Sequence, residues 1–253
     1  MNELVRPLSR FTPARIGLAS SGSSLRTCEA LRLAQDHALA RDAVHAVLDP
    51  ESMAHELARC GHPHAQVRSQ AIDRDTYLRR PDLGRRLHPG DGAVLAPLAG
   101  AAVVVVVADG LAPQAPARHA LPLLQALAEL LPDRWRNVTV VVASQGRVAL
   151  GDEVGELLGA RVVLVLLGER PGMSAPDSLG AYLTHAPRRG RTDAERNCVS
   201  NIRPDGLGYV AAARTIAWLV EESLARGYSG LTLKDDSAGT PLRINAAPAN
   251  IRP

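Results

Sequence analysis

Aromatic side chains are scarce: Phe, Tyr and Trp make up 3% of the 253 residues, with a single Phe and two Trp. Any core must therefore be aliphatic, built from Ala, Val and Leu. The ring platforms that stack single-stranded nucleic acid are disfavoured. Lysine is nearly missing too, since Lys234 is the only one among 29 basic residues and the other 28 are Arg. These arginines are spread along the chain, and the net charge is only +3. No basic arm or stripe follows a phosphate backbone, so nucleic-acid binding lacks its electrostatic footprint, and codon composition accounts for the arginine excess. The three cysteines, Cys28, Cys60 and Cys198, are far apart, form no CxxC and share no metal-ligand spacing with His. That pattern fits a reduced, cytoplasmic protein rather than a disulfide scaffold. The longest apolar stretch, 93–108, is interrupted by Pro97 and Gly100 and is too short to span a bilayer. No charged-then-apolar leader opens the chain.

What is present is ordinary for a globular protein. Hydrophobic residues make up 46% and charged residues 22%, which excludes disorder throughout. The length is about 1.7 times the ~150 residues of one average domain. Residues 1–22 read as a loose lead-in. A Ser/Thr-rich start then opens a helix with Leu33, His37, Ala40, Val44, Val47 and Leu48 at helical spacing, ended by Pro50. Leu31, Ala34 and Ala38 form a second apolar stripe beside it. Another helix spans 51–59, and residues 74–87 mix helix and turn. Pro89-Gly90 and Asp91-Gly92 punctuate the chain strongly, and a domain boundary is expected there.

After residue 92 the pattern changes. Residues 103–107 are five consecutive Val, the signature of a strand buried on both faces. A helix over 121–131, a strand over 138–142, a helix over 152–158 and a strand over 162–167 follow. Then come a short strand over 181–186, a long helix over 210–225 and a last strand over 231–233. The expected fold class is α/β: a C-terminal, mostly parallel sheet with helices on both faces, Rossmann- or flavodoxin-like, preceded by a small helical N-terminal domain. The expected division is 1–92, 93–236 and a disordered tail over 237–253.

Open parallel sheets bind ligands beyond the carboxyl ends of their strands. Three such ends stand out: Asp109-Gly110, Ser144-Gln145-Gly146 and Gly168-Glu169-Arg170-Pro171-Gly172. None is a P-loop or a GxGxxG. The glycine-rich turn at 17–24 has no strong strand before it, which weakens it as a nucleotide loop. Glu169 follows a buried strand between glycines that would let backbone approach a ligand, although an ion pair with Arg170 is an equal alternative. Cys198 sits in a polar loop before the long helix, either as a nucleophile with an unidentified base or, more simply, as a buried small side chain. Asp109 is either a catalytic acid or, more simply, a cap for the next segment.

Several blocks resemble the small (light) subunit of ethanolamine ammonia-lyase. They include Leu31-Arg-Leu-Ala-Gln-Asp-His-Ala-Leu-Ala-Arg-Asp-Ala-Val44, Tyr77-Leu-Arg-Arg-Pro-Asp-Leu-Gly-Arg85 and Ala108-Asp-Gly-Leu111. Gly146-Arg-Val148, Gly155-Glu-Leu-Leu-Gly159, Gly168-Glu-Arg-Pro-Gly172, Ser178-Leu179 and Arg196-Asn-Cys-Val-Ser-Asn-Ile202 follow in order. The resemblance covers about residues 25–234 and leaves the tail uncovered. It implies an ammonia-lyase that turns ethanolamine into acetaldehyde and ammonia by radical chemistry, with adenosylcobalamin as the cofactor. It implies a hetero-oligomer in which a large barrel subunit holds the substrate and this chain covers the cobalamin at the interface. The family's cobalamin-contacting positions fall on Val148, Glu169 and Cys198. No catalytic residue and no metal ligand is assigned to this chain. The place implied is cytoplasmic, with packaging in a bacterial microcompartment left open.

None of the eight His has an Asp two residues before it, so the Asp-x-His-x-x-Gly motif that replaces cobalamin's lower base is lacking. The competing reading is a non-catalytic, flavodoxin-like nucleotide-binding module. It would need a phosphate-cradling Ser/Thr/Gly loop after the first strand. Asp109 instead places a carboxylate there.

Overall fold

The structure, a computed structural model, describes Arg15, Ile16, Leu18 and residues 20–239. A small hairpin, β1 (Ser20–Ser21) and β2 (Ser24–Leu25), precedes α1 (Thr27–His45) and α2 (Pro50–Arg59). Strand β3 (His64–Arg68) follows, then three short helices, α3 (Arg74–Arg79), α4 (Pro81–Gly84) and α5 (Gly92–Leu95). The chain continues through β4 (Val103–Ala108), α6 (Gln114–Leu130), α7 (Pro132–Trp135), β5 (Thr139–Ser144) and α8 (Leu150–Leu158). It ends in β6 (Val162–Gly168), β7 (Leu179–His185), β8 (Arg196–Ile202) and α9 (Tyr209–Arg226).

Six strands form one sheet in the order β3-β5-β4-β6-β7-β8. The first four in that order run parallel, and β7 and β8 add an antiparallel edge. The α/β class is as the sequence implies, with a mixed sheet. The five valines explain its centre. Val103, Val105 and Val107 point to one side and pack with Leu123 and Leu127 of α6 and Ile216 and Val220 of α9. Val104 and Val106 point to the other and pack with Leu150, Val154 and Leu158 of α8. Alternate residues of a strand face opposite sides, so a run of valine suits a strand covered on both. From β4 the chain crosses through α6 to β5 on one flank. From β5 it crosses back through α8 to β6 on the other flank. Crossovers of one hand in opposite directions place their helices on opposite faces and open a crevice at the carboxyl end of β4.

Several elements differ from the sequence reading. Strand β3, from the part read as helical, pairs along its whole length with β5, on the far side of the expected 92/93 boundary. Only Ala65 and Val67 of its five residues are buried, too few to reveal a strand by pattern. Helix α6 starts at Gln114 rather than 121. Pro116 falls in its first turn, where a missing N–H costs nothing, and Pro122 is tolerated inside it. Residues 196–202, read as a loop, form β8, whose Val199 and Ile202 point into the core while Cys198 and Ser200 stay exposed. The strand expected at 231–233 is a 3-10 turn, Gly230–Thr232. Gly230 takes a φ of +86°, and the Asn197 side chain accepts from its N–H and donates to the carbonyls of Gly230 and Leu233. The leader expected over 1–22 and the tail expected over 237–253 lie largely outside the described residues.

Helix α1 is the least covered of the long helices. Ala43 is its only buried residue, while Leu31 and Leu39 are 65% and 50% exposed. Its apolar stripes find little cover among the described residues.

Candidate functional site

The carboxyl ends of β4, β5 and β6 are joined by one carboxylate and two glycines. Asp109, directly after β4, is buried and accepts three backbone N–H groups: Gly110 at 3.0 Å, Gln145 at 2.8 Å and Gly146 at 2.9 Å. Burial pushes its carboxyl up to about 6, while those donors and Arg74, 3.9 Å away, pull it down. Asp109 thus caps the β5 loop as well as its own turn. It also occupies the backbone donors that a phosphate-cradling loop would offer, which removes the basis of the nucleotide-module reading at this turn. Gly110, with φ +60°, and Gly168 let β4 and β6 meet backbone to backbone. A Cβ on Gly168 would lie 2.1 Å from the Ala112 carbonyl oxygen. Gly168 therefore serves chain packing, not approach to a ligand as the sequence suggested.

Beside these ends lies a cleft of about 950 Å³. Val148, from the β5 loop, and Glu169, from the end of β6, both line it. Tyr182 of β7 also lines the cleft, and Cys198 of β8 is its register partner. The structure thus brings Val148 and Glu169 into one wall and sets Cys198 next to it, across from Tyr182.

Glu169 does not pair with Arg170. One of its carboxylate oxygens accepts from the Ser178 hydroxyl and from the Asn201 backbone N–H. The other, Oε1, takes no hydrogen bond among the described residues and lies over Gly180, where a Cβ would come within 3.0 Å of it. Glu169 is thereby aimed, with acceptor capacity to spare. Cys198 is exposed, contrary to the buried small side chain expected as the simpler alternative. Desolvation against the sheet raises its thiol pKa, the Tyr182 hydroxyl lowers it and Glu169 raises it, for a net rise. A thiol held protonated is a poor nucleophile. Burial likewise carries the Tyr182 hydroxyl well above its ordinary range.

The far end of the cleft rests on a buried ion pair. Arg196 of β8 donates two hydrogen bonds of 2.7 Å to Asp152 of α8, one of 2.8 Å to Thr184 of β7 and one of 3.0 Å to the Arg191 carbonyl. Both side chains are at most 4% exposed. The near end rests on Tyr77, whose ring carries the guanidinium groups of Arg74 and Arg147 at 4.7 and 4.5 Å. Sequence reasoning missed Tyr77, Arg147, Tyr182 and the Asp152–Arg196 pair as site residues. The only signal for Arg147 is its place next to Val148 after a buried strand. Tyr182 and Arg196 lie on strands whose partners cannot be read along the chain. Among the described residues no group of three or more His, Cys, Asp or Glu side chains could hold a metal ion. No helix among them is long and apolar enough to cross a membrane.

Fold and site together define an α/β protein with an arginine-rich cleft at the carboxyl ends of its strands. The model of the ethanolamine ammonia-lyase light chain (EutC) family matches residues 2–234, and the chain belongs to that family. It is 52% identical over 245 residues to an ethanolamine ammonia-lyase small subunit of Bradyrhizobium diazoefficiens, covering 95% of this chain and 94% of that one. It is 51% identical over 250 residues to that of Rhodopseudomonas palustris, covering 96% of each. It is 50% identical over 236 residues to that of Azotobacter vinelandii, covering 91% of this chain and 87% of the relative.

Proposed function

We propose that this chain, together with a large subunit, deaminates ethanolamine to acetaldehyde and ammonia, and that its cleft covers adenosylcobalamin at the interface between the two. The observation that carries the reading is the meeting of Val148 and Glu169 in one cleft, with Cys198 alongside. Its volume of about 950 Å³ suits a sizeable ligand. The donor set also suits a corrin edge: Val148 offers apolar contact, and the spare oxygen of Glu169 accepts from an amide side arm. When bound, adenosylcobalamin supplies the radical by homolysis of its Co–C bond. The part of this chain is to hold and orient the cofactor and to keep water from it. The exposed Leu31 and Leu39 of α1, and Val47 just beyond it, supply apolar surface for a covering partner. The same reading puts the enzyme in the cytoplasm, free or within a microcompartment.

Glu169→Gln tests it. Losing the charge from a charge-assisted hydrogen bond should weaken cobalamin binding to the two-subunit complex about 10- to 100-fold. Equilibrium dialysis with cyanocobalamin measures this, with complex assembly followed by gel filtration. Ser178→Ala, which frees the carboxylate without neutralising it, should have a smaller effect. Unchanged affinity in an intact Glu169→Gln complex would count against the site, and loss of assembly would make Glu169 a structural residue.

A further inference from the structure

We propose that Arg147 heads an anion subsite in the cleft that takes a phosphate ester, and, resting on the cofactor reading above, that this anion is the phosphodiester of cobalamin's nucleotide tail. The two arginines on the Tyr77 ring are unequally engaged. Arg74 and Arg147 share the Tyr77 ring, but only Arg74 is fully engaged. It donates to the carbonyls of Val44, Gly110 and Leu111 and faces Asp109. The Arg147 side chain donates only from Nη2, to the Tyr77 carbonyl at 3.0 Å, and its Nε is buried with no partner. A guanidinium has five donors in a planar fork, and an orphaned buried donor is costly. The repulsion between the two cations also lowers the pKa of Arg74, although burial lowers it more. An anion in the cleft would relieve both costs at once.

The remaining cleft charges leave room for one. Glu153 holds Arg86 and Arg189, Glu195 holds Arg191, and Asp152 holds Arg196, with Asp193 at 3.5 Å from the same guanidinium. Arg85, Arg147 and Arg170 line the same cleft and pair with no carboxylate among the described residues. Glu169 is the one cleft carboxylate without an arginine partner, so the unpaired cations outnumber it by three to one. A stacked guanidinium with free N–H groups is suited to binding two oxygens of a phosphate. Cobalamin carries one such group, in the tail that joins its lower base to the corrin.

The test uses the complex of this chain with its large subunit and three probes: cyanocobalamin, dicyanocobinamide, which lacks the phosphodiester and base, and inorganic phosphate. In Arg147→Gln, cyanocobalamin affinity should fall about 10- to 100-fold and cobinamide affinity by less than about 3-fold, with assembly intact. Arg147→Lys, which keeps the charge but not the fork, should fall between. Equal losses for both corrinoids would overturn the proposal, because they would show a packing role against Tyr77, and so would no loss for either. If wild type binds inorganic phosphate, Arg147→Gln does not, and cyanocobalamin affinity is the same in both, the subsite stands but the assignment to the nucleotide tail is overturned. If wild type takes up neither corrinoid, the cofactor reading fails, and phosphate binding decides the subsite. Binding lost in Arg147→Gln upholds it, and absent or unchanged binding overturns it.

Discussion

Asp152→Ala is expected to destabilise the protein by about 3–5 kcal/mol, the range for breaking a buried ion pair by removing one partner. Asp152 and Arg196 are joined by two 2.7 Å hydrogen bonds, and both are almost wholly out of solvent. Without the carboxylate, Arg196 keeps only the Thr184 hydroxyl, the Arg191 carbonyl and a longer contact to exposed Asp193. The charge itself stays buried. Urea unfolding should show a lower midpoint with an unchanged slope. The double variant Asp152→Leu, Arg196→Met should recover much of the loss, because it removes both charges and keeps the volume. A single-variant loss below about 1 kcal/mol would show that the pair is not buried as described.

The second large effect is expected at Asp109. Asp109→Ala leaves the N–H groups of Gly110, Gln145 and Gly146 without an acceptor and Arg74 without its carboxylate. At about 1–3 kcal/mol for each of these three unpaired groups, a loss of about 3–9 kcal/mol follows. The change should also reach the cleft, since Gln145, held at φ +54°, and Gly146 immediately precede Arg147 and Val148. Proteolysis should therefore open first at 145–148. Asp109→Asn keeps one carbonyl acceptor and should lose less. Equal stability of Asp109→Ala and wild type would remove Asp109 from its place as the hinge pin of the three strand ends.

The centre of the fold was legible because burial on both faces writes itself as unbroken aliphatic runs. Residues 103–107 and 162–167 needed no partner information to be read as strands. The edges were not legible. In β3 only alternate residues are buried and in β8 only every third, and Arg196, Asn197 and Asn201 give β8 the look of a loop. Helix α6 was half hidden by Pro116 and Pro122, whose cost depends on where a helix begins. Within the site, position could be read but partnership could not. Glu169 was found from its place after a buried strand, yet its partners, Ser178 and Asn201, are 9 and 32 residues away. The adjacent Arg170, the obvious partner in sequence, makes no ion pair with it and lines the same cleft. Asp109 was visible as a carboxylate at a strand end. Its work lies 36 and 37 residues on, in the loop that follows β5.

The central claim is that this chain is the cofactor-covering half of a two-subunit ethanolamine ammonia-lyase. Aldehyde release, measured with adenosylcobalamin and ethanolamine, tests it most directly when this chain, the large subunit and their mixture are assayed side by side. The account predicts turnover from the mixture only, dependent on the cofactor, with none from this chain alone. Comparable turnover by the large subunit without this chain, or by this chain alone, would contradict it.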